Sequence, residues 1–85
     1  MTRFYLTLVT GTDVIADEDG MDLPSLDAAR VAAIDGLRDV LAGDLRQGRL
    51  NPAASITIED SQHKRVDVVS FMDAVDLSSP RVRRP

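Results

Sequence analysis

The chain has 85 residues, a formal charge of −4 and a pI near 4.7, which describes one small acidic domain and argues against a general nucleic-acid binder, whose footprint is basic. Apolar residues make up 44% and charged residues 28%, a balance that folds but leaves a thin core at this length. Cysteine is absent and His63 is the single histidine, which excludes disulfides, thiol catalysis, zinc-finger sites and any His-rich metal site.

The first element in the chain is a strand over residues 3–10. Phe4, Leu6 and Leu8 share one face at period two, while Tyr5, Thr7 and Val9 share the other. Gly11-Thr12-Asp13 reads as a turn and Val14-Ile15-Ala16 as a short return strand, giving a first hairpin. Asp17-Glu18-Asp19-Gly20 is a second turn, and Met21-Asp22-Leu23-Pro24 leads into a helix. Ser25 is the expected N-cap, because its hydroxyl can accept from an orphan amide of the first turn, where Asp27 suits the helix dipole. The helix should run to about Gln47, with Gly48 as a left-handed stop and Asn51-Pro52 barring continuation.

At about 100° per residue, Leu26, Ala29, Ala33, Ile34, Leu37, Val40, Leu41 and Leu45 form a broad core-facing stripe. Arg30 and Asp44 interrupt it, and each must reach water along its stem or find a partner from a loop. A third strand is expected at Ser55–Glu59, a polar turn at Asp60–Lys64 and a fourth strand at Arg65–Phe71, with Ile56 and Ile58 sharing a buried face with Val66 and Val68. Residues 72–75 form a short end piece. The expected fold is α+β: two β-hairpins flanking one long helix, packed as an antiparallel sheet with the first strand central and the helix on one face. Residues 1–76 make the domain, and residues 77–85 a flexible tail carrying Arg81, Arg83 and Arg84.

Residues 3–74 resemble a family of short bacterial proteins catalogued only as a domain of unknown function. The resemblance is carried by the aromatic-rich strand Phe4-Tyr5-Leu6-Thr7-Leu8 and the acidic turn Asp17-Glu18-Asp19-Gly20. It continues in Leu23-Pro24-Ser25-Leu26, the helix start Asp27-Ala28-Ala29-Arg30 and the ending Phe71-Met72-Asp73-Ala74. Two departures stand out: Thr7 occupies a place where the family often has histidine or an aromatic, and Ser61-Gln62-His63 replaces its usual acid-Gly hairpin tip. The resemblance implies the ββαββ fold and brings no activity with it.

No constellation for a reaction is visible. Asp17-x-Asp19-Gly20 suggests a calcium loop, but aligning Gly20 to the glycine of an EF-hand puts Ile15 and Leu26 at its first and twelfth ligand positions. The acidic patch Asp17, Glu18, Asp19 and Asp22 therefore reads as a turn kept negative for solubility or for pairing with Arg30. His63 lies in a polar turn beside Asp60 and Ser61, where nothing fixes catalytic geometry. The expectation is no catalytic residue, no cofactor and no metal.

Interaction is the stronger signal. One helix covers one face of a sheet, so Tyr5, Thr7, Val9, Val69 and Phe71 are expected on an uncovered apolar face. Ala32, Gly36 and Gly43, beside the core stripe, form a small-residue flank suited to close packing. These eight residues are the candidate interface of a homodimer or small homo-oligomer, or for an unidentified protein partner. The alternative is an antitoxin-like or nucleic-acid-linked regulator acting through a partner, although three tail arginines give only weak phosphate contact and nucleic acid is an unlikely ligand. No apolar run approaches the roughly 18 residues of a membrane span and no signal peptide is readable, so the expected location is cytoplasmic, without membrane contact.

Overall fold

β-Branched and aromatic residues suit a pleated surface, and the N-terminal run of them forms β1 (Thr2–Thr10). The computed structural model describes residues 1–75; the tail expected at 77–85 lies outside the described residues. In chain order there follow β2 (Asp13–Ile15), β3 (Met21–Leu23), α1 (Leu26–Arg46), β4 (Ser55–Glu59), β5 (Arg65–Ser70) and the one-turn α2 (Phe71–Ala74). Among these residues five strands form one antiparallel sheet in the order β2-β1-β4-β5, with β3 also paired to β1. The fold is α+β, with β1 central as expected. β3 is an addition: the residues read as a lead-in to the helix pair as Thr2↔Leu23, Arg3↔Asp22 and Phe4↔Met21.

The helix follows its local signals. Ser25, with extended backbone, accepts a hydrogen bond on Oγ from the Ala28 amide at 3.1 Å. At the other end Gly48 takes φ +76°, and the Gly48 and Arg49 amides donate to the Leu45 and Asp44 carbonyls, each at 2.9 Å. This left-handed cap satisfies carbonyls that the helix cannot. α1 lies over Ile56 and Ile58, which join Phe4, Ala29, Ala33, Leu37, Leu41, Ala54, Val69, Phe71 and Ala74 in the buried core. Leu26 and Leu45, at the two ends of the stripe, are exposed.

The second hairpin corrects the expected facing. The register runs Ile56↔Val69, Thr57↔Val68 and Ile58↔Asp67, then shifts to Glu59↔Arg65, which leaves Val66 as the extra residue of a β-bulge. Asp67 and Val69, not Val66 and Val68, therefore share the helix-covered face with Ile56 and Ile58. Val69 is fully buried, whereas Val66 and Val68 are about 40% exposed. Phe71 is also buried, because the chain leaves the sheet at Ser70 and turns it under α1 as the first residue of α2. Val69 and Phe71 thus leave the candidate interface.

Candidate functional site

Aspartates occupy main-chain amides on both sides of the sheet. On the β1 side, β2 takes residues 8–10 and β3 takes residues 2–4, leaving Leu6 between them. The Leu6 amide donates to Asp17 Oδ2 at 3.1 Å, and Asp17 Oδ1 accepts from the amides of Asp19 at 3.3 Å and Gly20 at 3.0 Å. Partial burial pulls the Asp17 carboxyl up, but these three N–H donors outweigh it and hold the group below its ordinary value. Gly20 completes the turn at φ +70°; a Cβ there would lie 2.9 Å from the Phe4 carbonyl oxygen.

Arg3, not Arg30, is the base that pairs with the acidic loop. Its Nε and Nη2 each donate to an Asp22 carboxylate oxygen at 3.2 Å, and Nη1 donates to the Asp19 carbonyl at 2.6 Å. Within the acidic patch, Asp17 is thus half-buried and fully engaged, Asp22 is paired, and Glu18 and Asp19 face water. The loop reads as a structural staple rather than a cation site.

At the opposite edge, Asp67 Oδ1 accepts from the Val68 amide at 2.7 Å, and Asp73 Oδ2 accepts from the Ser70 amide at 2.9 Å. Arg30 Nη1 donates to Asp67 Oδ2 at 2.6 Å and Nη2 lies 4.0 Å from Asp73. Its partner comes from a strand rather than a loop. The Arg30 hydrogen bond and the Val68 amide hold Asp67 below the usual carboxylate range, while the Ser70 amide and hydroxyl do the same for Asp73. The Asp67 hydrogen bond raises the Arg30 guanidinium above its ordinary value.

Between these edges lies the face that α1 leaves open. Tyr5, Thr7 and Val9 lie on it half-buried, as expected, alongside the exposed Val14 and Val68 that sequence reasoning left out. Alternation with Ile56 and Ile58 points Thr57 and its partner Val68 outward, but the bulge at Val66 hides that register from a linear reading. His63, at φ +60° in the hairpin tip, stacks on Tyr5 with ring centroids 4.2 Å apart, and its Nδ1 lies 3.8 Å from Glu59 Oε1. The small-residue flank divides. Ala32 and Gly36 are half-buried, and a Cβ on Gly36 would rest 3.7 Å from Ile56 Cδ1, so Gly36 serves packing on the chain's own sheet. Gly43 faces open space and carries no contact.

A second surface, absent from the sequence reading, lies at the C-terminal half of α1. Here Leu41, Ala42, Leu45, Leu50, Phe71, Val75 and Arg38 line an apolar groove of about 330 Å³. Arg38 Nε donates to the Ala74 carbonyl at 2.9 Å, tying α1 to α2.

No described helix is long and apolar enough to cross a membrane. No curated protein and no solved structure matches the chain. Residues 3–72 match the family described as Domain of unknown function (DUF6894), and the chain belongs to that family.

Proposed function

We propose that this member of the DUF6894 family is a small binding module that associates with a second copy of itself through the open face of its sheet. The observation that carries the reading is that α1 covers one sheet face and that the β5 edge has its amides engaged, while the other face stays open. α1 covers one face, Asp17 occupies the free Leu6 amide at one edge, and Asp67 and Asp73 occupy the Val68 and Ser70 amides at the other. Strand addition at β5 is thereby disfavoured, since those donors are already satisfied and the bulge twists the strand. The open face keeps Tyr5, Val9, Val14 and Val68 around a Thr7–Thr57 centre, with Glu59 and Arg65 beside Tyr5, a mixture typical of a protein interface. A twofold axis through that face stacks the two sheets, and each copy then presents the same patch. Binding rather than reaction is favoured because His63 is engaged with the Tyr5 ring and, among the described residues, has no carboxylate at hydrogen-bond distance.

The test is oligomeric mass by sedimentation equilibrium for the native chain, Val68→Glu and Val31→Glu. Val31 is an exposed helix residue away from the sheet and serves as the control. A native dimer, a monomeric Val68→Glu and a dimeric Val31→Glu support the reading. A native chain that stays monomeric at every concentration, or a Val68→Glu that keeps dimer mass, overturns it.

A further inference from the structure

Among the described residues, His63 is the one non-glycine position with a positive φ, at +60°. L side chains disfavour that left-handed backbone, and glycine or asparagine takes it at less cost. The turn itself does not call for an imidazole. Asp60 Oδ1 accepts from the Gln62 and Lys64 amides, each at 2.9 Å. The Asp60 amide donates to the Lys64 carbonyl at 2.9 Å, and the His63 amide donates to the Asp60 carbonyl at 3.0 Å. These bonds use the Asp60 side chain and main-chain groups alone, so they serve any residue at position 63. Strain kept where the local turn does not need it points to a use for the side chain.

That use lies on the open face. From the tip of the β4–β5 hairpin the imidazole folds back onto the Tyr5 ring, with centroids 4.2 Å apart and planes tilted by 30°. Tyr5 pairs with Glu59, and Glu59 with Arg65, so an acid and a base flank the stack. The His63 side chain is nevertheless 61% exposed, and most of its surface meets water. The chain thus accepts strain to hold an aromatic surface outward in one position. Aromatic side chains are frequent anchors of protein interfaces, and those held in place before contact lose little freedom on binding.

We propose that the Tyr5–His63 stack anchors self-association on the open face, with the outer side of the imidazole packed against the second copy. This rests on the sheet-face reading and names the pair through which that face recognises its partner. Under twofold symmetry the dimer contains the stack twice, so a change at position 63 acts at both sites.

The test compares the native chain, His63→Gly, His63→Asn, His63→Phe and Val68→Glu. Dimer dissociation is followed by sedimentation equilibrium, and unfolding by denaturant at a dilution where the chains are monomeric. His63→Gly and His63→Asn remove the ring and ease the backbone. Both should keep the unfolding midpoint at or above the native value while raising the dimer dissociation constant about tenfold or more. His63→Phe restores a ring without easing the backbone and should recover most of the association. A side chain that merely steadied the tip would do the reverse, lowering the midpoint and leaving association alone. Native-like association in the glycine and asparagine variants, a lowered midpoint in both, or a His63→Phe that associates no better than His63→Gly each overturns the proposal. A dimer that Val68→Glu breaks and His63→Gly leaves intact overturns this proposal alone. A native chain that is monomeric at every concentration overturns the sheet-face reading with it.

Discussion

Replacing Asp17 by alanine removes one acceptor group from three backbone donors at once. The Leu6 amide lies in the middle of the central strand, where neither short partner strand reaches it, so the variant leaves it unpaired in a half-buried position. A buried donor left without a partner costs about 1–3 kcal/mol. The Asp19 and Gly20 amides are nearer water and recover most of their bonding from it, so the expected loss is about 2 kcal/mol. For a domain of this size that lowers the melting temperature by about 8–16 °C. Glu18→Ala, one residue along and free of such bonds, should stay within about 0.5 kcal/mol of the native chain. Asp17→Asn keeps one acceptor oxygen and should lose roughly half as much. The pH dependence follows from the lowered carboxyl: its contribution is complete above the unfolded carboxylate value of about 3.9 and disappears as pH falls through the folded value. The gap between native and Asp17→Asn should therefore be constant from neutral pH to about 5 and close on further acidification. Denaturant unfolding of the four proteins across that range measures all of this. An Asp17→Ala chain no less stable than Glu18→Ala would refute the staple and return the loop to a merely solvated turn.

The remaining predictions test the assigned faces, turns and edges. Val69→Ala should cost about 2–3 kcal/mol in chemical unfolding because its side chain is fully buried, whereas Val68→Ala, one residue away on the open face, should cost under about 1 kcal/mol in the monomer. Gly20→Ala should destabilise by about 1–2 kcal/mol from its positive φ alone, with the approach to the Phe4 carbonyl adding to this, while Gly43→Ala should stabilise the helix by about 0.5–1 kcal/mol. Arg30→Gln should move the Asp67 and Asp73 titrations, followed by carboxyl carbon shifts, upward toward ordinary carboxylate values, with Asp67 moving further because it alone is hydrogen-bonded to Arg30. Equal movement at both would mean that long-range charge, not contact, sets them.

What could be read in the chain was what its neighbours along the chain decide. Ser25 caps α1 through an amide three residues on, Gly48 ends it through two carbonyls within five residues, and β1 alternates cleanly over nine residues. What escaped depends on chain segments far apart. β3 has only three residues, too few for a period, and exists because Arg3 and Asp22 meet across the edge of β1. The bulge at Val66 reverses the inward and outward order ahead of Val68 and Val69, so counting by twos from Arg65 reaches the wrong face. Phe71 looked like one more strand residue, but Ser70 and Asp73 cap a helical turn there and carry the ring beneath α1. The Arg38 groove had no signature at all, being assembled from a helix, a loop residue and a final turn.

The aspartates bind these observations into one argument. In the linear reading they are surface charge, and the cluster at residues 17–22 invites a search for a cation. In the fold, Asp17, Asp67 and Asp73 each spend an oxygen on a main-chain amide that a sheet edge or its continuation would otherwise present to another chain. A partner strand at β5 would have to displace both carboxylates from their amides and strip Asp67 from Arg30, losing bonds of the same kind that it gains. At β5, exclusion of this sort leaves side-chain surfaces rather than the main-chain edge as the ground for recognition. The sheet face and the helix-end groove share no residue, so Val68→Glu on the face leaves the groove lining unchanged.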